Sequence, residues 1–214
     1  MIFRTVFTLP GAMLITTAML ITPQGFAQQP PQRLPTIAPD QYTAAQKKAS
    51  EEFMAARKTP VFGPFEPMMY SPDVMSMARA MGDYLRYHSS LGNTLSELVI
   101  LITAREWSQG YEWSLHCPIA IKAGIPKSVA DAIGEGRRPA AMSADEAIVY
   151  DFTTELLKNK GVSDTTFNRA EQRFGRQGVV DMAAISGYYA FLAMQLNLAR
   201  YPVGDGPRLA RLPE

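Results

Sequence analysis

The chain has 214 residues, 47% of them hydrophobic and 19% charged, with 21 basic side chains against 20 acidic ones. That balance excludes the strongly basic surface of a nucleic-acid binder and gives no reason to expect attraction to an anionic membrane. A lone cysteine, Cys117, excludes an intramolecular disulfide and a dithiol redox pair within one chain.

Residues 1–27 hold one charge, Arg4, ahead of an apolar, threonine-rich run ending at Gly25-Phe26-Ala27, which is the layout of a secretory signal peptide. Pro10, Gly11 and the threonines argue against retention of that run as a membrane anchor. The expected location is therefore periplasmic or secreted, with no stable membrane insertion after cleavage. Residues 28–39 (QQPPQRLPTIAP) have the composition of a disordered or extended arm, expected to pack on nothing or on a neighbouring subunit.

Residues 40–201 show no sustained period-two alternation and read as one all-α domain of seven or eight helices, followed by a solvated tail over 202–214. The first helix spans Asp40 to Lys58, with Tyr42, Phe53 and Met54 as its apolar contacts. Prolines 60, 64, 67 and 72 argue for a structured loop between Thr59 and Ser71. Ser71-Pro72-Asp73 starts the next helix, whose stripe Val74, Ala78, Met81, Leu85 and His88 places His88 on the buried side. Thr94-Leu95-Ser96-Glu97 reads as a capping box for a helix with Leu98, Leu101, Ile102 and Ala104 inward. After a break at Ser108-Gln109-Gly110 comes a helix with Glu112 and His116, ending at Gly124. A short helix from Ile125-Pro126 ends at Gly134 and Gly136. Ser143 to Glu146 forms a second capping box, for a helix with Ile148, Phe152 and Leu156 on one side. Ser163-Asp164 caps another that stops at Phe174-Gly175. The last helix, about Gln177 to Ala199, is apolar nearly all round, as a central or intersubunit helix would be.

Chemistry concentrates between Glu97 and Gly124. Glu112 and His116, four residues apart, project from one helix face, where a carboxylate and an imidazole can relay a proton, fix a tautomer or bind a metal. Glu97 is either the capping partner of Thr94 or a site residue. Arg105 either pairs with a glutamate or binds a substrate carboxylate in bidentate fashion. His88 could complete a two-histidine, one-carboxylate metal set with Glu112 and His116, or be a bonded core histidine. Cys117 projects about 100° from His116, so adjacency makes no thiolate pair. Trp113 belongs to the apolar company of the site helix, and Tyr188, Tyr189 and Gln195 are either pocket-lining or packing. No phosphate-cradling glycine loop or nucleophile elbow occurs.

The stretches GPFEPMMYSPDVMSMARAMGDYLRYHSSL and ELVILITAREWSQGYEWSLHCPIAIKAGIP, with the later AISGYYAFLAMQLNLA, resemble the carboxymuconolactone decarboxylase family within the alkylhydroperoxidase D-like superfamily, in the branch lacking redox cysteines. The resemblance implies a single-domain helical bundle assembled as a homo-oligomer, trimer or hexamer. It places the superfamily's proton-relay histidine at His116, its glutamate at Glu97, and its Cys-x-x-Cys pair at Gln109 and Glu112. Dithiol peroxidase activity is accordingly not expected. The expectation is a lyase, decarboxylase or isomerase acting on a small carboxylated or phenolic compound with no cofactor and no metal. His116, Glu112 and Glu97 would be catalytic, with Arg105, Trp113, His88 and Tyr188 binding substrate. The alternatives are a metal enzyme using His88, Glu112 and His116, or a non-enzymatic small-molecule binding or assembly protein.

Overall fold

A computed structural model of the chain describes Met1 and residues 31–210; the expected signal segment falls outside them. Residues 31–210 form an all-α domain, with no strand among the described residues. The helices are α1 (Ala44–Arg57), α2 (Phe65–Met68), α3 (Pro72–Tyr87), α4 (Gly92–Glu106), α5 (Gly110–Lys122), α6 (Lys127–Gly134), α7 (Ala144–Asn159) and α8 (Asp164–Ala199).

The centre of the bundle is α4. Every residue from Ser96 to Arg105 is buried, and α5, α6, α7 and α8 pack around it. The sequence suggested the last helix for that place. Its second half, after a break at Gly175 (φ 69°), is indeed largely buried, but Val180, Met194 and Leu198 remain exposed. α8 is long and apolar enough to cross a membrane, yet 61% of its most apolar stretch is buried against its own domain, as befits a core helix.

Local chemistry sets the other boundaries. Thr43 and Ser143 close true capping boxes with Gln46 and Glu146, and Ser163 caps α8 through the amide of Thr166. Phe53 is fully buried in α1 beside Ala49, while Met54, one position round, is 43% exposed. The proline-rich loop contains the short α2 because Pro64 and Pro67 fall at its N-cap and third position, where no intrahelical N–H is required. Its Phe62 and Phe65 pack edge-on with Phe53, whereas Tyr70 points outward and donates its hydroxyl hydrogen to the Pro35 carbonyl.

Three expectations fail on register or on partners. The buried stripe of α3 is Met75, Ala78, Gly82 and Leu85, which leaves Val74, Met77, Met81 and Tyr84 as an exposed apolar stripe and His88 exposed at the helix end. The Thr94 box does not form: α4 already starts at Gly92, and the Thr94 hydroxyl donates to the Ala123 carbonyl beyond α5. The two terminal segments are not free. Along the arm, the Arg33 amide donates to the Ala199 carbonyl and the Thr36 hydroxyl to Glu66. On the tail, Gly206 lies so close to the Ser114 carbonyl that a Cβ would sit 2.2 Å from its oxygen, and Leu209 packs on the core. Extended segments with few apolar side chains can still be fixed by backbone hydrogen bonds and by glycines that allow close approach.

Candidate active site

Glu97 on α4 and Glu112 and His116 on α5 meet in the interior, each 2% exposed or less. Gln109 sets the register of α5 by capping the Tyr111 amide (2.6 Å) and donating from its own amide to Asn197 on α8 (2.8 Å). That fixed start puts Glu112 in the first turn and His116 one turn on, on the same face. His116 Nδ1 lies 2.7 Å from Glu97 Oε2, and Nε2 lies 3.4 Å from Glu112 Oε2. A carboxylate only accepts, so Glu97 holds the ring hydrogen on Nδ1 and turns the Nε2 lone pair toward Glu112. The Tyr189 ring stands edge-on to the imidazole at 5.1 Å and fixes its plane.

Burial raises the Glu112 carboxyl above the ordinary range, with Glu97 adding to the shift and His116 and Arg86 opposing it. The group is thus held as an acid to higher pH than a surface glutamate, yet the positive N-terminal end of α5 and the nearby guanidinium can accept the charge when its proton leaves. Among the described residues Oε1 of Glu112 is buried without a hydrogen-bond partner. Glu112 lines a cavity with Arg86, His116, Tyr188, Tyr189 and Leu192, and the Tyr188 hydroxyl is likewise buried and unpartnered among those residues. The open space is ≈ 20 Å³ for the centre of a water-sized sphere, room for about one water.

Arg86, a residue that spacing did not single out, is the cation of this site. Its guanidinium is 3.6 Å from Glu97 Oε1. Burial opposes its charge, but Tyr189, Glu97 and Glu112 around it outweigh that and raise its pKa. Arg57 also lines the cavity but is committed to Asp83 (2.9 Å) and lies over the Phe65 ring at 4.5 Å. The signal that could have found Arg86 is the α3 register, since a residue four after buried Gly82 continues the inward face.

Other predicted residues lie elsewhere. Arg105 donates to the carbonyls of Gly134 (3.0 Å) and Ala210 (2.6 Å) and to the Ser108 hydroxyl (2.8 Å), so its donors hold backbone rather than a substrate carboxylate. The Trp113 ring packs on Gly134, where a Cβ would come within 2.8 Å of it, and does not line the cavity. His88 is exposed beside Tyr84 and is not brought to Glu112 and His116. Among the described residues no group of three His, Cys, Asp or Glu side chains is arranged to hold a metal ion, so the set His88, Glu112 and His116 does not fit one. Cys117 is buried, and burial pushes its thiol up. Tyr188 and Tyr189 line the cavity, while Gln195 does not.

No family model and no curated protein matches the sequence. Solved structures do match in shape. The alkylhydroperoxidase AhpD core of an uncharacterized peroxidase-related protein from Ralstonia eutropha JMP134 aligns with TM-score 0.67 at 19% identity, over 82% of this chain and 94% of that one. A peroxidase-related protein from Silicibacter sp. TM1040 gives 0.66 at 12% identity, over 83% and 93%. A cysteine-to-alanine variant of the debrominase Bmp8 in complex with 2,3,4-tribromopyrrole gives 0.61 at 11% identity, over 81% and 92%. The all-helical domain of this chain therefore has the alkylhydroperoxidase AhpD-core fold.

Proposed function

We propose that the chain is a small-molecule enzyme of the carboxymuconolactone decarboxylase type, catalysing decarboxylation or isomerisation of a small unsaturated carbonyl acid by proton transfer. The observation that carries this reading is the row Glu97, His116, Glu112, at 2.7 Å and 3.4 Å, whose last member lines a cavity and has a buried carboxyl oxygen with no partner among the described residues. Glu112 stands where the resemblance puts one of the superfamily's two cysteines, so a carboxyl takes the place of a thiol and acid–base chemistry the place of dithiol chemistry. The similarity in fold to a debrominase that binds a small ring compound supports a compact cyclic substrate.

In the decarboxylation, the bond to the leaving carboxylate breaks and carbon dioxide departs. The bonding pair passes into the adjacent unsaturated carbonyl as an enolate. Glu112 then gives its proton to carbon and recovers one from solvent through His116 Nε2, while Glu97 keeps the imidazole in the required tautomer. Isomerisation uses the same groups, with His116 Nε2 removing a proton from one carbon, Glu112 giving its own proton to another, and Glu112 then recovering a proton from the imidazolium. Glu97 is a positioning residue, and Glu112 and His116 are the catalytic pair.

The test is turnover of a panel of small lactone acids, followed by carbon dioxide release and by deuterium incorporation from heavy water. Wild-type protein should turn over at least one member, and Glu112→Gln and His116→Gln should each lower the rate about 10²- to 10⁴-fold. Equal rates in wild type and both variants would overturn the assignment.

A further inference from the structure

Six buried side-chain polar atoms lack a hydrogen-bond partner among the described residues. Two of the six, Glu112 Oε1 and the Tyr188 hydroxyl, belong to residues that line the same cavity. Burial of such groups unpaired is costly, so two of them on residues that line a space for about one water mark a place for an oxygen atom that accepts from both.

The position of the Tyr188 hydroxyl is enforced from the side. It lies against the backbone of α3 at Gly82, where a Cβ would stand only 2.2 Å from the hydroxyl oxygen. Glycine in the middle of a helix costs stability, and here it makes the room this hydroxyl occupies. Arg86 supplies the countercharge. Its single carboxylate neighbour within 4 Å among the described residues is Glu97, at a distance too long for a hydrogen bond. Arg86, Arg57 and Phe62 also line a surface groove of ≈ 410 Å³, together with Thr59, Asp83 and Tyr87. Cavity and groove thus share three residues, and the groove is large enough for a single planar ring.

We infer that the cavity is an oxyanion pocket, in which the Tyr188 hydroxyl and the Glu112 carboxyl donate hydrogen bonds to one oxygen of an unsaturated carbonyl ligand whose ring lies in the groove beside Arg86. Donors fixed where charge develops stabilise an enolate more than the neutral carbonyl, because nothing has to reorganise as the charge appears. The identification of that oxygen as an enolate rests on the proposed proton-transfer chemistry; the pocket itself rests on the two unpartnered atoms, Gly82 and Arg86. A phenolate has the same planar, charge-delocalised oxygen and does not react, so it serves as a probe.

The experiment is equilibrium binding of phenol, 4-cyanophenol and 4-nitrophenol to the full chain at neutral pH, the last followed by the phenolate absorbance. Wild-type protein should bind 4-nitrophenol as the phenolate, with affinity rising at least tenfold from phenol to 4-nitrophenol. Tyr188→Phe should weaken nitrophenolate binding about 10- to 100-fold, the loss of one hydrogen bond to a charged acceptor. Gly82→Ala, which displaces the hydroxyl and removes no polar group, should act in the same direction. Glu112→Gln keeps an N–H donor and should stay within a few-fold of wild type in binding while losing turnover. Binding of the neutral phenol only, or equal affinity in wild type and Tyr188→Phe, overturns the pocket. If wild type binds no phenolate and Glu112→Gln still abolishes turnover, the pocket falls and the acid–base reading stands. If binding follows the forecast and Glu112→Gln turns over normally, the acid–base reading falls and the pocket stands.

Discussion

Two buried polar clusters lie on the α4–α5 helix pair, one around Arg105 and one around His116, and they differ in how their hydrogen-bonding capacity is used. Arg105 places both terminal nitrogens on carbonyls and a hydroxyl, tying the end of α6 and the C-terminal segment to α4. Among the described residues only its Nε lacks a partner, and Arg105 is not among the residues that line the cavity around Glu112. Around His116 the imidazole lies between two carboxyls, yet Glu112 Oε1 and the Tyr188 hydroxyl are buried with no partner among the described residues, and both residues line one cavity. A buried cation whose donors end on main-chain carbonyls is a fastening. A buried acid left with a free oxygen at a cavity is a reagent. Burial alone does not separate the two cases, and unused polar atoms on cavity-lining residues do.

The largest effect is forecast for Glu112→Gln, whose 10²- to 10⁴-fold loss of turnover should come with no loss of folding. Next comes Arg105→Ala. Removing that guanidinium leaves the Gly134 and Ala210 carbonyls without their donor, and urea unfolding should show a loss of about 2–4 kcal/mol. Nitrophenolate affinity per folded molecule should stay within about twofold, since a residue outside the cavity makes no hydrogen bond to the ligand. An Arg105→Ala protein of full stability but no affinity would reverse the roles assigned to the two clusters.

The smallest effect is on the pH dependence of stability. Because burial raises the Glu112 carboxyl in the folded state, its contribution is fully present below the unfolded value near 4.5 and is lost as pH rises through the folded value. Glu112→Gln carries no such charge to bury. Its stability relative to wild type should therefore climb from pH 4.5 upward and stay flat below. A constant difference across the range would mean that Glu112 folds in with an ordinary carboxylate.

The sequence was a good guide wherever the signal was local. The capping box at Ser143, the Ser163 cap, the breaks at Gly124 and Gly175, and the shared face of Glu112 and His116 all follow from spacing and side-chain chemistry, whereas the first helix, read from Asp40, starts after the Thr43 cap. It failed where two patterns competed. α3 has two apolar stripes, and only tertiary contact decides that Met75, Ala78, Gly82 and Leu85 face inward while Val74, Met77, Met81 and Tyr84 do not. That one-position shift put His88 in the site on paper and hid Arg86, which the true register brings in. Glu97 failed as a cap for a related reason. Its partner lies 19 residues away on another helix, a separation no local motif encodes. Arg105 was overrated because a buried arginine near two glutamates looks like an anion binder until the carbonyls of Gly134 and Ala210 are seen to occupy it.

The protonation state of Glu112 decides whether the site holds an acid. The infrared difference spectrum between wild type and Glu112→Gln at neutral pH, in light and heavy water, reads it without substrate. The account predicts a carbonyl stretch of an undissociated carboxylic acid, shifted on deuteration and absent from the variant. A difference spectrum containing only the paired bands of a carboxylate would contradict it and leave the site without its acid.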